Sequence, residues 1–260
     1  MTSHPFGQER PLHPETKTIL VGASSGIGAA LLQELVRRGH RVAALARRGD
    51  LLEENCRQAN AAAGMQRAVA YEHDVTDFGT VPALFEQITA DLGGLDLIIY
   101  VAGVQPPVAA HEYDFAKDHE MVQVNLLGAM AWLNEAASRF THVRHGQIAA
   151  LGSVSGDRGR VAFPGYHTSK GALAIYLESL RNRLSRRGVT VTTVKPGFVD
   201  TRLLANAAKT FWVISPEEAA RQIADAIEAR KQVVYVPGRW RWVSLIIQLI
   251  PSFIFRRLSI

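Results

Sequence analysis

A tyrosine and a lysine stand one helical turn apart in YHTSKGALAIYLESLRNRL, the stretch that begins at Tyr166. Apolar residues recur at helical spacing there, so Tyr166 and Lys170 are expected on one face of one helix. A free phenol has a pKa near ~10, and a neighbouring ammonium group favours the phenolate and lowers that pKa. The pair could therefore shuttle a proton to a substrate oxygen. An ordinary contact on an amphipathic helix is the alternative.

Three glycines interrupt ILVGASSGIGAALLQEL, which runs from Ile19 to Leu35. The residues before them predict a strand, and the leucines after them predict a helix. In a doubly wound sheet, such a turn lets a ligand phosphate meet unpaired backbone N–H groups at the positive end of the helix. Gly22, Gly26 and Gly28 carry no Cβ atoms to block that approach. A merely tight turn is the other explanation.

Apolar runs and helical patterns alternate from residue 18 onward. This order is typical of βαβ units, and it predicts an α/β fold with a seven-stranded, mostly parallel sheet covered by helices on both faces. We expect a single doubly wound Rossmann-type domain over residues 17–238, a variable leader over 1–16 and a hydrophobic helical extension over 239–260. The seven predicted strands are TILVG, RVAALA, RAVAYEH, LDLIIYVAG, GQIAALGS, VTVTTVKPG and VVYVP.

The composition limits which cellular compartment and which classes of binding partner are expected. The chain has 260 residues, 47% apolar and 20% charged, which argues against disorder. Cys56 is the only cysteine, so no intrachain disulfide can form, and we expect a cytoplasmic protein. The net charge of +5 suits phosphate-bearing ligands, nucleic acid or an anionic membrane. Because the densest arginine cluster lies at a predicted helix end, where it complements the helix dipole, we expect no nucleic-acid partner.

Two motifs together carry a family resemblance. Gly22-x-x-x-Gly26-Ile27-Gly28 and the downstream Tyr166-His-Thr-Ser-Lys170 resemble the classical short-chain dehydrogenase/reductase family, over about residues 17–236. The resemblance implies that Ser153, at the end of a predicted strand, hydrogen-bonds the substrate oxygen. It implies that Asn125 holds water in a proton relay, and that Lys170 tunes Tyr166 and binds the nicotinamide ribose.

The implied activity is hydride transfer between the nicotinamide of a bound cofactor and a carbonyl carbon, with Tyr166 as the acid. Such an enzyme interconverts a small-molecule ketone and a secondary alcohol, and it needs no metal. Relatives form dimers or tetramers, so the resemblance also implies a homodimer or homotetramer. A membrane-associated dinucleotide-binding scaffold or redox sensor with little turnover is the alternative from another functional class.

The end of the second predicted strand bears on the choice of cofactor. NAD-preferring relatives carry an acid there for the ribose hydroxyls, whereas this chain has Ala46 followed by Arg47 and Arg48. An arginine can pair with a 2′-phosphate that an acid would repel, so NADP(H) is favoured over NAD(H). Ser24 and Ser25 could add hydroxyl contacts. A solvated strand end is the other reading of the two arginines.

Further cofactor contacts are implied along the chain, and two family positions are altered. A helix N-cap is the competing role for Asp74. Val21 replaces the threonine that usually opens the glycine motif, and Tyr100 and Val101 replace two asparagines after the fourth strand, so the bracing of these strands is in question. The implied contacts are Asp74 and Val75 at the adenine, Ala102 and Gly103 after the fourth strand, and Pro196, Gly197, Val199 and Thr201 at the nicotinamide.

The C-terminal sequence GRWRWVSLIIQLIPSFIFRRLSI is unusually apolar. A helix from Trp240 to Ile250 would have a narrow polar stripe at Arg241, Ser244 and Gln248 and a wide apolar face elsewhere. Pro251 ends the run well short of the ~20 residues that span a bilayer. Three roles stay open for residues 240–260: peripheral membrane contact, a dimer contact, or a lid over the cleft.

The same apolar character suggests a lipophilic substrate. Some membrane-associated relatives that act on steroids or long-chain lipids have apolar tails too, so a steroid-like or long-chain ketone is the substrate that the resemblance favours. The loop over residues 203–214 is expected to line much of the substrate pocket.

Overall fold

The computed structural model describes residues 15–109, 111–206 and 210–258. Within them, seven strands form one sheet in the order β3-β2-β1-β4-β5-β6-β7. Every neighbouring pair is parallel, which confirms the predicted doubly wound sheet. The strands are β1 (Lys17–Val21), β2 (Arg41–Ala46), β3 (Ala68–Glu72), β4 (Leu97–Tyr100), β5 (Gly146–Leu151), β6 (Val189–Pro196) and β7 (Val233–Val236).

Helices connect the strands and cover both faces of the sheet. A π-helical segment, Gln123–Leu127, joins α4 to α5 without a break in the helical chain. Short 3-10 turns occupy Val154–Asp157, Ser185–Arg187 and Arg202–Asn206. The helices are α1 (Gly26–Arg37), α2 (Gly49–Ala63), α3 (Val81–Leu92), α4 (Phe115–Val122), α5 (Gly128–Val143), α6 (Pro164–Leu184), α7 (Pro216–Glu228), α8 (Trp240–Leu249) and α9 (Ser252–Phe255).

Two apolar cores lie on opposite faces of the sheet. Residues of α3, α5 and α6 form one core, and residues of α1, α2 and α7 form the other. Successive residues of a strand point to opposite faces, so Ile19 and Val21 enter the first core while Leu20 enters the second. This double burial is why the strands are continuous apolar runs.

The connections place a crevice at the carboxyl ends of β1 and β4. The chain proceeds from β1 through β2 to β3 on one side and then crosses to β4, which pairs with the other side of β1. Ligands of open α/β sheets bind at such a reversal of strand order. The glycine turn that follows β1 and the loop that follows β4 therefore meet there.

Outside the central sheet, the predicted C-terminal helix is present as α8, and Pro251 separates it from α9. Most of the predicted leader and residues 259 and 260 lie outside the described part of the chain. The domain boundaries at 17, 238 and 239 stay a prediction.

Candidate active site

A cleft of about 760 Å³ opens at the crevice between β1 and β4. It is lined by the glycine turn, by the loops after β4, β5 and β6, and by the first turns of α6. All the predicted site residues lie on its wall except Asp74 and Asn125. Those on the wall are Gly22, Ser24, Ser25, Gly26, Ile27, Gly28, Arg47, Arg48, Val75, Ala102, Gly103, Ser153, Tyr166, Lys170, Pro196, Gly197, Val199 and Thr201.

The glycine turn is built so tightly that side chains cannot enter it. Gly22 has φ +100°, and a Cβ there would lie 2.4 Å from the backbone nitrogen of Ala102. A Cβ on Gly28 would lie 1.9 Å from the carbonyl oxygen of Gly22. The helix α1 starts inside this turn, and its N-cap residue Ser25 makes no side-chain hydrogen bond to the first turn. The turn thus fits the pyrophosphate of a dinucleotide, whose charge the amino end of a helix stabilises.

Tyr166 and Lys170 share one face of α6, as predicted, and both are buried. The lysine Nζ lies 5.9 Å from the centre of the tyrosine ring and donates a 2.9 Å hydrogen bond to the carbonyl oxygen of Leu151, the last residue of β5. Ser153 follows β5, and its side chain hydrogen-bonds Tyr166. A phenol, an ammonium and a hydroxyl therefore converge at the carboxyl edge of the sheet.

The pKa values of this group differ from the expectation. Burial raises the pKa of Tyr166, and the hydrogen bond from Ser153 only partly opposes this rise. Burial also lowers the pKa of Lys170 to about 8. The net shift is therefore opposite to the predicted lowering: an ammonium 5.9 Å from the ring centre favours the phenolate, but desolvation raises the pKa of Tyr166 by more. A neutral phenol is nevertheless the form that donates a proton.

Asn125 lies in the π-helical segment and is fully buried. Its Oδ1 accepts a 2.7 Å hydrogen bond from the backbone nitrogen of Val104, and its Nδ2 donates to Val104 O at 3.0 Å and to Ser169 Oγ at 3.1 Å. The side chain thus braces α6 and the loop after β4 against the π-helical segment. Its water-holding role in a proton relay stays a prediction.

Asp74 closes a local turn beside the cleft. Its Oδ1 accepts hydrogen bonds from the backbone nitrogen of Thr76 at 2.9 Å and from the Thr76 hydroxyl at 2.8 Å. The predicted alternative, a helix N-cap, is wrong because α3 begins at Val81 after Thr80. Asp74 also lies 3.7 Å from a guanidinium nitrogen of Arg47, and its pKa is lowered by the Thr76 hydrogen bonds despite partial burial.

Basic side chains cluster at the end of the cleft next to β2. Arg48 donates to Ser24 Oγ at 2.9 Å and to Ser25 Oγ at 2.7 Å. Its pKa is lowered by burial and by the charges of Arg202 and Arg47. Arg202 lines the same cleft, and sequence reasoning missed it, although it directly follows the predicted contact Thr201. Three like charges in one place indicate a site for an anion.

The altered family positions keep their strands braced. The buried Tyr100 hydroxyl donates a 2.6 Å hydrogen bond to the carbonyl oxygen of Val124 in the π-helical segment. Gly128 makes room for it, since a Cβ there would lie 2.6 Å from the Tyr100 hydroxyl oxygen. The tyrosine therefore ties β4 to the helix that carries Asn125, and Val21 is buried in the first core.

An aromatic cluster borders the other end of the cleft. Trp240, the first residue of α8, is buried, and a Cβ on Gly197 would lie 2.0 Å from its indole nitrogen. Its ring packs at 5.3 Å from Phe198, 5.0 Å from Phe211 and 6.0 Å from Trp212. Sequence reasoning placed the loop over 203–214 at the pocket but missed Phe198 and the individual role of Trp240. Residues 207–209 of that loop lie outside the described part of the chain.

The described residues include neither a cluster of metal ligands nor a membrane-spanning helix. In the described ranges, no three His, Cys, Asp or Glu side chains are grouped so as to hold a metal ion. None of the helices within those ranges combines the length and apolar character that crossing a bilayer requires.

The model of the short chain dehydrogenase family matches residues 16–212. An uncharacterized oxidoreductase of Mycobacterium tuberculosis is 27% identical over 249 residues, which is 94% of this chain and 97% of that protein. The cis-4-hydroxycyclohexanecarboxylate dehydrogenase of Sinomonas cyclohexanicum is 31% identical over 74% of this chain and 76% of its own. A crystal structure of an actinorhodin polyketide ketoreductase variant with NADPH superposes with a TM-score of 0.78 at 24% identity, covering 86% of this chain and 96% of the other.

Proposed function

Because the chain belongs to the short-chain dehydrogenase/reductase family, which makes it an NAD(P)-dependent oxidoreductase, we propose that it interconverts a ketone and a secondary alcohol with NADP(H). The observation that carries this proposal is the convergence of Ser153, Tyr166 and Lys170 on the cleft that the glycine turn borders. Tyr166 as the acid and Ser153 as the hydrogen-bond donor would then reach one substrate oxygen, beside the cofactor that the glycine turn binds.

The chain's own residues supply cofactor binding and proton transfer. Gly22, Gly26 and Gly28 would admit the pyrophosphate, and the segment from Pro196 to Thr201 would hold the nicotinamide end. NADPH, when bound, supplies the hydride that adds to the carbonyl carbon.

The proton comes from Tyr166. Its phenol is neutral because burial raises its pKa, so it can donate to the ketone oxygen while Ser153 hydrogen-bonds the same oxygen. The phenolate left behind is stabilised by the ammonium of Lys170, 5.9 Å from the ring centre. Addition of one hydride and one proton converts the ketone to a secondary alcohol, and the reverse sequence oxidises the alcohol.

The basic cluster supports the choice of NADP(H). Arg47, Arg48 and Arg202 would surround a 2′-phosphate, and Ser24 and Ser25 already orient Arg48 by hydrogen bonds. A doubly charged phosphate binds several guanidinium groups through charge-assisted hydrogen bonds. The acid that would bind ribose hydroxyls is replaced by Ala46.

A lipophilic ketone is the substrate class that the cleft wall favours. The polar side chains of Gln105, Ser155, Arg160 and His167 also line the cleft, but much of its wall is formed by aliphatic and aromatic side chains. These are Val104, Val154, Phe163, Phe198, Leu203, Leu204 and Trp240. Such surfaces bind steroid-like or long-chain molecules by excluding water.

A spectrophotometric screen tests the proposal. Loss of reduced-nicotinamide absorbance is followed with NADPH and with NADH against small, steroidal and long-chain ketones. We expect faster consumption of NADPH, and we expect Arg48→Ala to raise the KM for NADPH about tenfold without changing that for NADH. Arg57→Ala, on the exposed side of α2, is the matched control.

Two outcomes of the screen would contradict the proposal. Faster consumption of NADH, or equal losses for both cofactors in Arg48→Ala, would overturn the NADP(H) preference. The protein could instead bind NADPH tightly, yet neither oxidise it with any ketone nor reduce NADP with any alcohol. That result would favour the alternative, a dinucleotide-binding scaffold or redox sensor.

A further inference from the structure

The C-terminal helix α8 packs on the protein through its two buried residues, Trp240 and Ser244. Ser244 is 3% exposed and donates a hydrogen bond to the carboxylate of Asp157. Asp157 also pairs with Lys195 of β6 and accepts a 3.2 Å hydrogen bond from Tyr235 of β7. Gln248 donates to Ser244 Oγ at 3.0 Å. Of the stripe predicted to be the polar surface of α8, Ser244 therefore faces inward, whereas Arg241 and Gln248 are exposed.

Arg158 fixes this orientation. One guanidinium nitrogen donates to the carbonyl oxygens of Ile247 and Ile250, each at 2.5 Å, so it caps the end of α8. The same guanidinium lies 3.9 Å from the centre of the Phe255 ring of α9. Both helices are thus held by two adjacent residues, Asp157 and Arg158, at the end of the 3-10 turn that follows Ser153.

The opposite side of these helices is an exposed apolar surface. Trp242 is 64% exposed, Ile246 63%, Leu249 72% and Phe253 60%. We call these four residues, together with Leu245, Ile254 and Leu258, the C-terminal apolar face. A contiguous surface of large apolar side chains marks an interaction site in a folded protein.

The charged residues around the C-terminal apolar face indicate which kind of partner would bind it. The chain has no Asp or Glu after Glu228, whereas arginines are exposed on both sides of the face. Arg239 and Arg241 lie at the start of α8, and Arg256 and Arg257 lie after α9. A tryptophan and large aliphatic side chains flanked by arginines are typical of a helix that lies in the interface of an anionic bilayer.

We propose that the C-terminal apolar face docks peripherally on an anionic phospholipid surface. The ten residues of α8 are too few to cross a bilayer, but α8 and α9 could lie along its surface. A second copy of the chain fits less well, since isologous pairing of this face would bring the arginines of both copies together. No acid in residues 229–260 would compensate that repulsion.

Vesicle cosedimentation of the full chain tests the proposal without reference to catalysis. We expect the protein to sediment with vesicles of phosphatidylcholine and phosphatidylglycerol about tenfold more strongly than with phosphatidylcholine alone. Binding should weaken at high salt, and Trp fluorescence should shift to the blue on the mixed vesicles as Trp242 leaves water.

Matched variants distinguish vesicle binding through the C-terminal apolar face from non-specific apolar binding and from binding through charge alone. Ile246→Ser with Leu249→Ser should lower binding at least about tenfold, because two large apolar side chains no longer enter the interface. Val143→Ser with Ile175→Ser, which alters equally exposed apolar residues on α5 and α6, should not. Arg256→Gln with Arg257→Gln should lower binding to the anionic vesicles alone, and Arg186→Gln with Arg187→Gln should have little effect.

Three outcomes would contradict the proposal. Absence of vesicle binding by a folded protein would overturn the proposal, as would equal losses in both apolar double variants. If Ile246→Ser with Leu249→Ser instead converts a dimer to a monomer in light scattering and leaves vesicle binding unchanged, the face is an interface between copies and the proposal is wrong.

Discussion

At the scale of single residues, burial decides the chemistry of the Tyr166 and Lys170 pair. The spacing of the two residues in the sequence predicted a shared helix face, which the structure has. The sequence could not reveal that both side chains lie in a desolvated pocket, where the phenol stays neutral and the pKa of the lysine falls to about 8. The pair can therefore donate a proton. Keeping the buried Lys170 charged has a cost, because it lowers the free energy of unfolding.

That cost predicts a stabilising substitution. Below pH 8, Lys170 is charged in the folded and unfolded chain, whereas between pH 8 and its ordinary value of 10.5 only the unfolded chain holds the proton. The charge thus lowers the free energy of unfolding by at most about 3 kcal/mol below pH 8, and the cost vanishes as the pH rises through 10.5. Loss of the hydrogen bond to Leu151 offsets about 1 kcal/mol of the gain in Lys170→Met.

We therefore expect Lys170→Met to be inactive but more stable than the parent at pH 7, with the difference shrinking toward pH 10.5. Denaturant unfolding at several pH values measures it. Lys231→Met, at an exposed lysine, should change stability by less than about 0.5 kcal/mol at any pH. Equal stability of the parent and Lys170→Met across the range would show that Lys170 is not destabilised by burial.

Residue types in short motifs were predictable, but contacts between distant loops were not. Gly22, Gly26, Gly28, Ser153 and Tyr166 were identified from local pattern and resemblance, and all lie on the cleft. Arg202 was missed because its closeness to Arg48 arises only when the loop after β6 folds over the glycine turn. No periodicity in the sequence encodes that approach.

At the scale of elements, the π-helical segment over Gln123–Leu127 is the feature that the sequence did not reveal. The seven strands were predicted because each is a continuous apolar run between helical patterns. The helical pattern, in contrast, passes through residues 115–143 without a break signal. What holds the irregular segment are contacts from elsewhere, in particular the Tyr100 hydroxyl on Val124 O and the Asn125 amide on Val104.

Removing one of these contacts should loosen the segment. Tyr100→Phe leaves the buried carbonyl of Val124 without its 2.6 Å donor, so we expect a loss of about 1–3 kcal/mol in the free energy of unfolding. We also expect a lower kcat with an unchanged Kd for NADPH, because Tyr100 does not line the cleft. Calorimetry and NADPH titration measure both. Tyr113→Phe, at a tyrosine that is 96% exposed, should match the parent, and a stable, fully active Tyr100→Phe would disprove this bracing role.

At the scale of the whole molecule, Asp157 links the catalytic region to the C-terminal helices. It pairs with Lys195 and is hydrogen-bonded to Tyr235 and Ser244, so one carboxylate joins β6, β7 and α8. The sequence predicted the helix, and two residues of its predicted polar stripe, Arg241 and Gln248, are exposed. It could not show that the third, Ser244, meets a buried acid some ninety residues upstream in the sequence while the apolar face stays exposed. That broad face does not pack on the protein's own body.

Asp157→Asn should therefore release the C-terminal helices. The substitution leaves the partly buried Lys195 without its ion partner, and we expect a loss of about 3 kcal/mol. Tryptic cleavage after Arg239 and Arg241 should accelerate under conditions where the rest of the chain stays folded. Asp77→Asn, at an exposed acid, is the control. Unchanged cleavage at Arg239 and Arg241 would mean that Asp157 does not hold α8.

The most direct test of the central claim is the activity of Tyr166→Phe with NADPH and a ketone that the parent protein reduces. Because only the phenolic oxygen is removed, the Kd for NADPH should stay within about twofold of the parent, while kcat should fall by at least about 10²-fold through loss of the proton donor. Ketone reduction by Tyr166→Phe at the rate of the parent would contradict the account.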